Sequence, residues 1–130
     1  MAEHPNVQIM RRAYEAFAAG DLPTLMSLWT DDVVWHVSGA TPLDGDYSGR
    51  DAVAGFFGAL AQETGGTFAL DVHTILADDD HAVVLVTATA RRAGRSLLSQ
   101  DAHVTHLRDG LMAEFWNATS DPAATLAFWA

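Results

Sequence analysis

The order of hydrophobic patterns along the chain predicts an α+β fold, with helices of the N-terminal half packed on a mostly antiparallel sheet. Three observations carry this expectation. Apolar residues recur at helical spacing in much of the first 63 residues, β-branched runs dominate from Thr67 onward, and tight polar turns join those runs to their sequence neighbours. A chain of 130 residues that is 49% hydrophobic can bury one core but not two, so a single domain over 1–130 is expected.

Over residues 6–19, Met10, Ala13, Tyr14 and Phe17 share a face while Arg11, Arg12 and Glu15 are polar, the pattern of an amphipathic helix. Gly20 supplies a stop, and Asp21 is placed to cap a second helix carrying Leu22, Leu25, Met26, Leu28 and Trp29. The segment "DDVVWHVSG" (31–39) reads as a strand that runs into a loop. The Gly/Pro/Asp-rich "SGATPLDGDYSG" that follows is long for a connection inside a compact domain, and so is expected to be a functional or mobile loop. Residues 51–63 read as a third helix with Val53, Phe56, Phe57 and Leu60 on one side.

"TFALDVHTILA" alternates, with Phe68, Leu70, Val72 and Leu76 on one face and Asp71 and His73 on the other. "DDDH" is a turn because Asp side chains bond their own backbone there. "HAVVLVTATARR", "RSLLSQDAHVTHL" and "LMAEFWNA", separated by "AG" and "RDG", complete a meander of four long strands. In "SDPAATLAFWA", Asp121 caps and Pro122 opens a short terminal helix.

Composition excludes several function classes. With 7 Lys plus Arg against 17 Asp plus Glu, the net charge of −10 opposes the counterion release that drives nucleic-acid binding, and opposes attraction to anionic lipid. The absence of cysteine removes disulfides, thiolate nucleophiles and Cys-type zinc sites. No basic-then-apolar leader is visible and no apolar run approaches the ~20 residues needed to span a bilayer, so a cytoplasmic protein is expected.

The succession "AGDLPTLMSLWTDDVVWHV", Gly/Pro loop, "SGRDAVAGFF" and "LRDGLMAEFW" resembles the nuclear-transport-factor-2-like superfamily, in its SnoaL-like and ketosteroid-isomerase-like branch. The resemblance implies a cone-shaped fold whose curved sheet encloses a cavity, and a homodimer formed through the sheet. The superfamily includes isomerases, dehydratases, epoxide hydrolases, polyketide cyclases and non-catalytic binding domains, so fold alone does not choose an activity. Counting from "AGD", the isomerase tyrosine that polarises the substrate carbonyl falls on Ala13, with Tyr14 one residue off. The isomerase base falls on Val37 and its second oxyanion donor on His103. In SnoaL-like cyclases the last-strand acid falls on Asn117, with a histidine matching His103. An amide cannot serve as a general base near neutrality, although it can orient a carbonyl.

Strand parity puts Val33, Trp35 and Val37 on the cavity side and turns His36 away, which favours a strand histidine bonded to a neighbour over a cavity role. His103 and Asn117 are the candidate catalytic pair, with Tyr14, Trp35, Val37, Phe56, Phe57 and Phe115 lining a substrate pocket. An imidazole in such a pocket suits a proton carrier near pH 7, and equally suits a core histidine satisfied by a carbonyl or by Asp101. His73 and His106 face outward, His81 lies in a turn, and His4 lies in a frayed terminus. His103 and His106, three apart, point to opposite strand faces, so no metal is expected. Arg50 is expected in a surface or loop ion pair, and Asp44 and Asp46 are expected to stay solvated as loop acids, a reach to the pocket mouth as carboxylate bases being the alternative. An outer sheet face carrying Val84, Val86, Ala88, Val104 and Trp116 would be too apolar for water and would form the dimer contact.

The expected function is cofactor-independent acid/base chemistry, whether cyclisation, isomerisation or dehydration, on a small, largely apolar carbonyl- or hydroxyl-bearing molecule. The alternative is a non-catalytic binding or carrier protein that has lost the family acid.

Overall fold

The computed structural model describes residues 3–38 and 41–130. Helix α1 (Pro5–Ala18) opens with Pro at its first position and His4 as its cap, which accepts from the Asn6 backbone N–H. His4 is thus held in place rather than frayed: its Nε2 also meets Asp79 at 2.7 Å, and the Asn6 amide donates to the Asp78 and Asp79 carbonyls. These bonds tie the start of α1 to a turn more than 70 residues away. Helix α2 (Leu22–Ser27) is capped by Asp21, which accepts from the Thr24 N–H. Helix α3 (Arg50–Glu63) begins beside the first strand, because Arg50 bridges to Asp31 at 2.9 Å and donates to the Trp29 carbonyl at 2.6 Å. The short α4 (Pro122–Trp129) is capped by Asp121.

Among the described residues, six strands form one sheet: β1 (Trp29–Val37), β2 (Gly45–Ser48), β3 (Ala69–Ala77), β4 (His81–Arg92), β5 (Arg95–Arg108) and β6 (Leu111–Thr119). Their spatial order is β2-β1-β6-β5-β4-β3, antiparallel throughout except for the parallel β1–β6 pair. The strand expected over 31–39 instead starts at Trp29, and Gly39 lies outside the described residues. Part of the expected loop is strand β2, hydrogen-bonded to β1 with Val37 opposite Gly45. "GDYS" lacks the apolar alternation that marks a half-buried strand, so its pairing is set by β1 rather than by its own pattern.

Two face assignments are corrected. Val84, Val86 and Ala88 are buried, because the β4–β5 register sets them opposite His103, Asp101 and Ser99, and directly paired residues share a face. The outer face of that pair instead carries Val83, Leu85 and Val104, with Trp116 beside Val104 on β6. On β3 a register shift between Val72 and Thr74 reverses the alternation, so Ile75 turns inward and Leu76 is 58% exposed.

The core lies between the concave sheet face and the helices. Met10, Trp29, Val33, Val53, Val84 and Phe128 are almost wholly buried there, so α1, α3 and α4 all contribute to the layer that covers the sheet.

Candidate functional site

Between that helical layer and the sheet is a cavity of about 150 Å³. Its walls include Tyr14 from α1, Trp35 and Val37 from β1, Phe56 and Phe57 from α3, His103 from β5, and Phe115 and Asn117 from β6, so all eight sequence-derived site residues line one space. Strand alternation brings Trp35 and Phe115 onto the inner faces of the parallel β1–β6 pair, where they stack with centroids 4.0 Å apart. Phe57 meets Trp35 edge-on at 5.5 Å, and Phe115 meets the His103 ring at 5.0 Å. The result is an aromatic box with few polar groups.

His103 stands at its polar end. Although the sequence comparison puts Tyr14 one position out of register, both Ala13 and Tyr14 border the cavity, and the Tyr14 hydroxyl lies 2.5 Å from His103 Nδ1. Burial pushes the tyrosine's ionisation up, and among the described residues its hydroxyl has no other acceptor. The phenol therefore donates to Nδ1, which leaves the imidazole proton on Nε2. Nε2 has no partner among the described residues. Burial also takes the His103 pKa down to about 4, with a smaller opposing pull from Asp101, so the ring is neutral at pH 7. It is a hydrogen-bond donor of fixed tautomer, in contrast to the near-neutral proton carrier expected from its residue type.

Asn117 is the direct cross-strand partner of His103, so the two side chains leave the sheet side by side. Its own side chain is exposed and has no hydrogen-bond partner among the described residues. Asp101, considered from the sequence only as a structural partner for His103, also lines the cavity, as do Thr125 and Trp129 of α4. The signal for Asp101 is its spacing: two residues before His103 on a strand is the same face. Nothing in the pattern of α4 indicates that it closes the far wall.

The remaining polar residues lie elsewhere. His36 reaches the cavity margin, but its imidazole is committed outside to Asp46 at 2.7 Å and Glu114 at 2.6 Å, and it stacks on Trp116. Both carboxylates raise its pKa, with the hydrogen bond to Glu114 the largest cause. Asp44 caps its own loop through Thr41, and neither Asp44 nor Asp46 lines the cavity. His73 and His106 are outside the cavity, as expected, with His106 against Glu114 at 3.5 Å. Among the described residues no group of three His, Asp or Glu side chains is disposed to hold a metal ion, and no helix is long and apolar enough to cross a membrane.

Comparison with known proteins gives a consistent family assignment. The profile of the SnoaL-like domain matches residues 10–115. Uncharacterised proteins of Mycobacterium bovis and Mycobacterium tuberculosis are 32% identical over 131 residues, covering 100% of this chain and of theirs. Among solved structures, Bal32a from a soil-derived mobile gene cassette superposes with a TM-score of 0.91 at 32% identity, covering 97% of each chain. An NTF2-like protein of Burkholderia pseudomallei gives 0.86 at 27% identity over 98% of each. TerC, co-crystallised with polyporic acid, gives 0.81 at 22% identity over 92% of this chain and 95% of its own, a likeness of fold alone.

Proposed function

From the premise that the chain belongs to the SnoaL-like family of NTF2-like proteins, we propose that it is a cavity enzyme. It carries out cofactor-independent acid/base chemistry on a small, largely apolar molecule bearing a carbonyl or hydroxyl group. The observation that carries this reading is the Tyr14–His103 pair at the polar end of an aromatic cavity. An apolar body would fill the box formed by Trp35, Phe56, Phe57 and Phe115, and its oxygen would accept from His103 Nε2–H and from the Asn117 amide. The His103 donor is effective because Tyr14 fixes it before the substrate arrives and because it acts where little water screens it. His103→Ala should then abolish turnover while leaving an apolar ligand bound within about tenfold, since the box supplies most of the contact. Unchanged turnover in His103→Ala removes the residue from the mechanism.

Asn117 favours a second reading, a non-catalytic binding or carrier protein that kept the pocket and lost the family acid. Asn117→Asp separates the two in part: turnover gained on a SnoaL-type polyketide substrate identifies a disabled cyclase. A homodimer is part of the same proposal. Val83, Leu85, Val104 and Trp116 give the outer sheet face an apolar centre suited to a second copy, and sedimentation at micromolar concentration tests it.

A further inference from the structure

The cavity does not end at its aromatic box. Phe17, Leu25, Phe57, Leu60, Phe68 and Leu70 line it, and the same six residues line a groove of about 500 Å³ between the α1–α2 corner, α3 and the start of β3. The Phe17 ring stands at the junction, its centroid 5.6 Å from that of Phe57 and 6.1 Å, edge-on, from that of Phe68. It is half-buried and carries no polar atom, so only packing contacts resist its rotation between rotamers. Among the described residues Asp21 supplies the one polar side chain of the groove wall. Its carboxylate is committed to the cap of α2, accepting from the Thr24 N–H at 3.1 Å and the Thr24 hydroxyl at 2.6 Å. The other polar side chains, among them His103, Asn117 and Thr125, border the cavity and not the groove.

Helix α1 sets the distance between the two ends. Tyr14, which bonds His103, and Phe17 are three residues apart, so they share a helix face and stand about 4.5 Å apart along its axis. The cavity's own volume of about 150 Å³ is small beside the roughly 300–1,000 Å³ of sites that enclose drug-sized ligands, and holds a body of one or two rings. We propose that the groove is a second subsite of this cavity, opened by rotation of Phe17, and that it takes an uncharged, unbranched hydrocarbon arm of the ligand whose oxygen lies at His103. This rests on the reading of the cavity as a small-molecule site. A polar arm would lose its water against a wall with no free group to bond it. A branched arm would meet Phe17 and Phe68 at the junction. The groove thereby selects among ligands that the aromatic box alone accepts, since they present the same head to His103 and differ only beyond Phe17.

The test compares 4-ethylphenol with 4-hexylphenol, titrated calorimetrically into the full chain. Each methylene that enters the groove should tighten binding about three- to fourfold, so wild type should favour the hexyl compound by about 100-fold. Gly58→Leu shows whether the arm lies in the groove. Gly58 is on α3, next to Phe57, and lines the groove but not the cavity. A Cβ built there meets nothing within 4 Å, and leucine is a better helix former than glycine, so the variant should fold with its side chain in the groove. The hexyl-over-ethyl preference should then drop at least about tenfold. Phe17→Ala gives a second reading: by widening the junction it should tighten 4-cyclohexylphenol relative to 4-hexylphenol by about tenfold. Should that variant unfold, Gly58→Leu decides alone. A wild-type preference below about threefold, or a preference in folded Gly58→Leu within about threefold of wild type, overturns the groove subsite and leaves the cavity reading in place. No binding of either phenol by wild type overturns both.

Discussion

Burial of His103 should make folding less favourable in acid. In the folded protein its pKa falls from the ordinary 6.5 to about 4, chiefly because burial penalises the imidazolium. The unfolded chain therefore binds a proton between about pH 6.5 and pH 4 that the native protein does not. The contribution to stability is fully present above pH 6.5, declines as pH falls, and is gone below about 4. The interval of about 2.5 pH units, at about 1.36 kcal/mol per unit, corresponds to roughly 3 kcal/mol, of which 2–3 kcal/mol should be lost by pH 4.5. This is a sizeable share of the 5–15 kcal/mol typical of a domain. The clean assay is urea unfolding of wild type and His103→Gln at pH 7.5 and 4.5, because the substitution removes this titration and leaves the other histidines. The difference in unfolding free energy between the two proteins should shift by about 2–3 kcal/mol against wild type at the lower pH. A His103 ring that titrates near 6.5 by NMR, together with a pH-independent difference, would refute the burial argument.

Tyr14→Phe strands His103 Nδ1 in the core and should cost about 1–3 kcal/mol at pH 7.5 by urea unfolding; a change below about 0.5 kcal/mol would show that the bond contributes little. His36 should behave opposite to His103. Its pKa is raised by Glu114 and Asp46, so its contribution to stability is present at low pH and fades as pH rises through the folded value, and its NMR titration should lie above 6.5 and return toward 6.5 in Glu114→Gln. At the β4–β5 turn Ala93 and Gly94 have φ of 50° and 76°, matching Asp109 and Gly110 at the β5–β6 turn, and alanine is strained there. Ala93→Asn should raise stability by roughly 0.5–1 kcal/mol, read as a higher melting temperature.

Much of the architecture is legible in the sequence because its elements carry their own punctuation. Asp21 and Asp121 are acidic caps directly before helical runs, and both cap as expected. The four meander strands follow from β-branched runs joined by turns of two or three residues. What the pattern leaves out is information held between elements. The short strand β2 exists because β1 offers it an edge, and the bulge on β3 that exposes Leu76 is invisible to a strict period of two. The outer-face assignment of Val84, Val86 and Ala88 failed for the same reason. In a run as uniformly apolar as "HAVVLVTATA", only the pairing with β5 shows which alternate residues face His103. At the site, parity separates His36 from Trp35, and chain order brings His103 together with Asn117. The hydrogen bond from Tyr14 and the loss of basicity at His103 depend on helix rotation and burial, which spacing does not encode.

The cavity is proposed to receive a carbonyl compound with its oxygen against His103 and Asn117. A crystal structure of the protein soaked with 2-tetralone tests it most directly. The ring system should lie between Trp35, Phe57 and Phe115, with the ketone oxygen within hydrogen-bonding distance of His103 Nε2. A ketone bound with its oxygen turned away from His103, or a cavity left filled by its own side chains while the ligand sits outside, would contradict it.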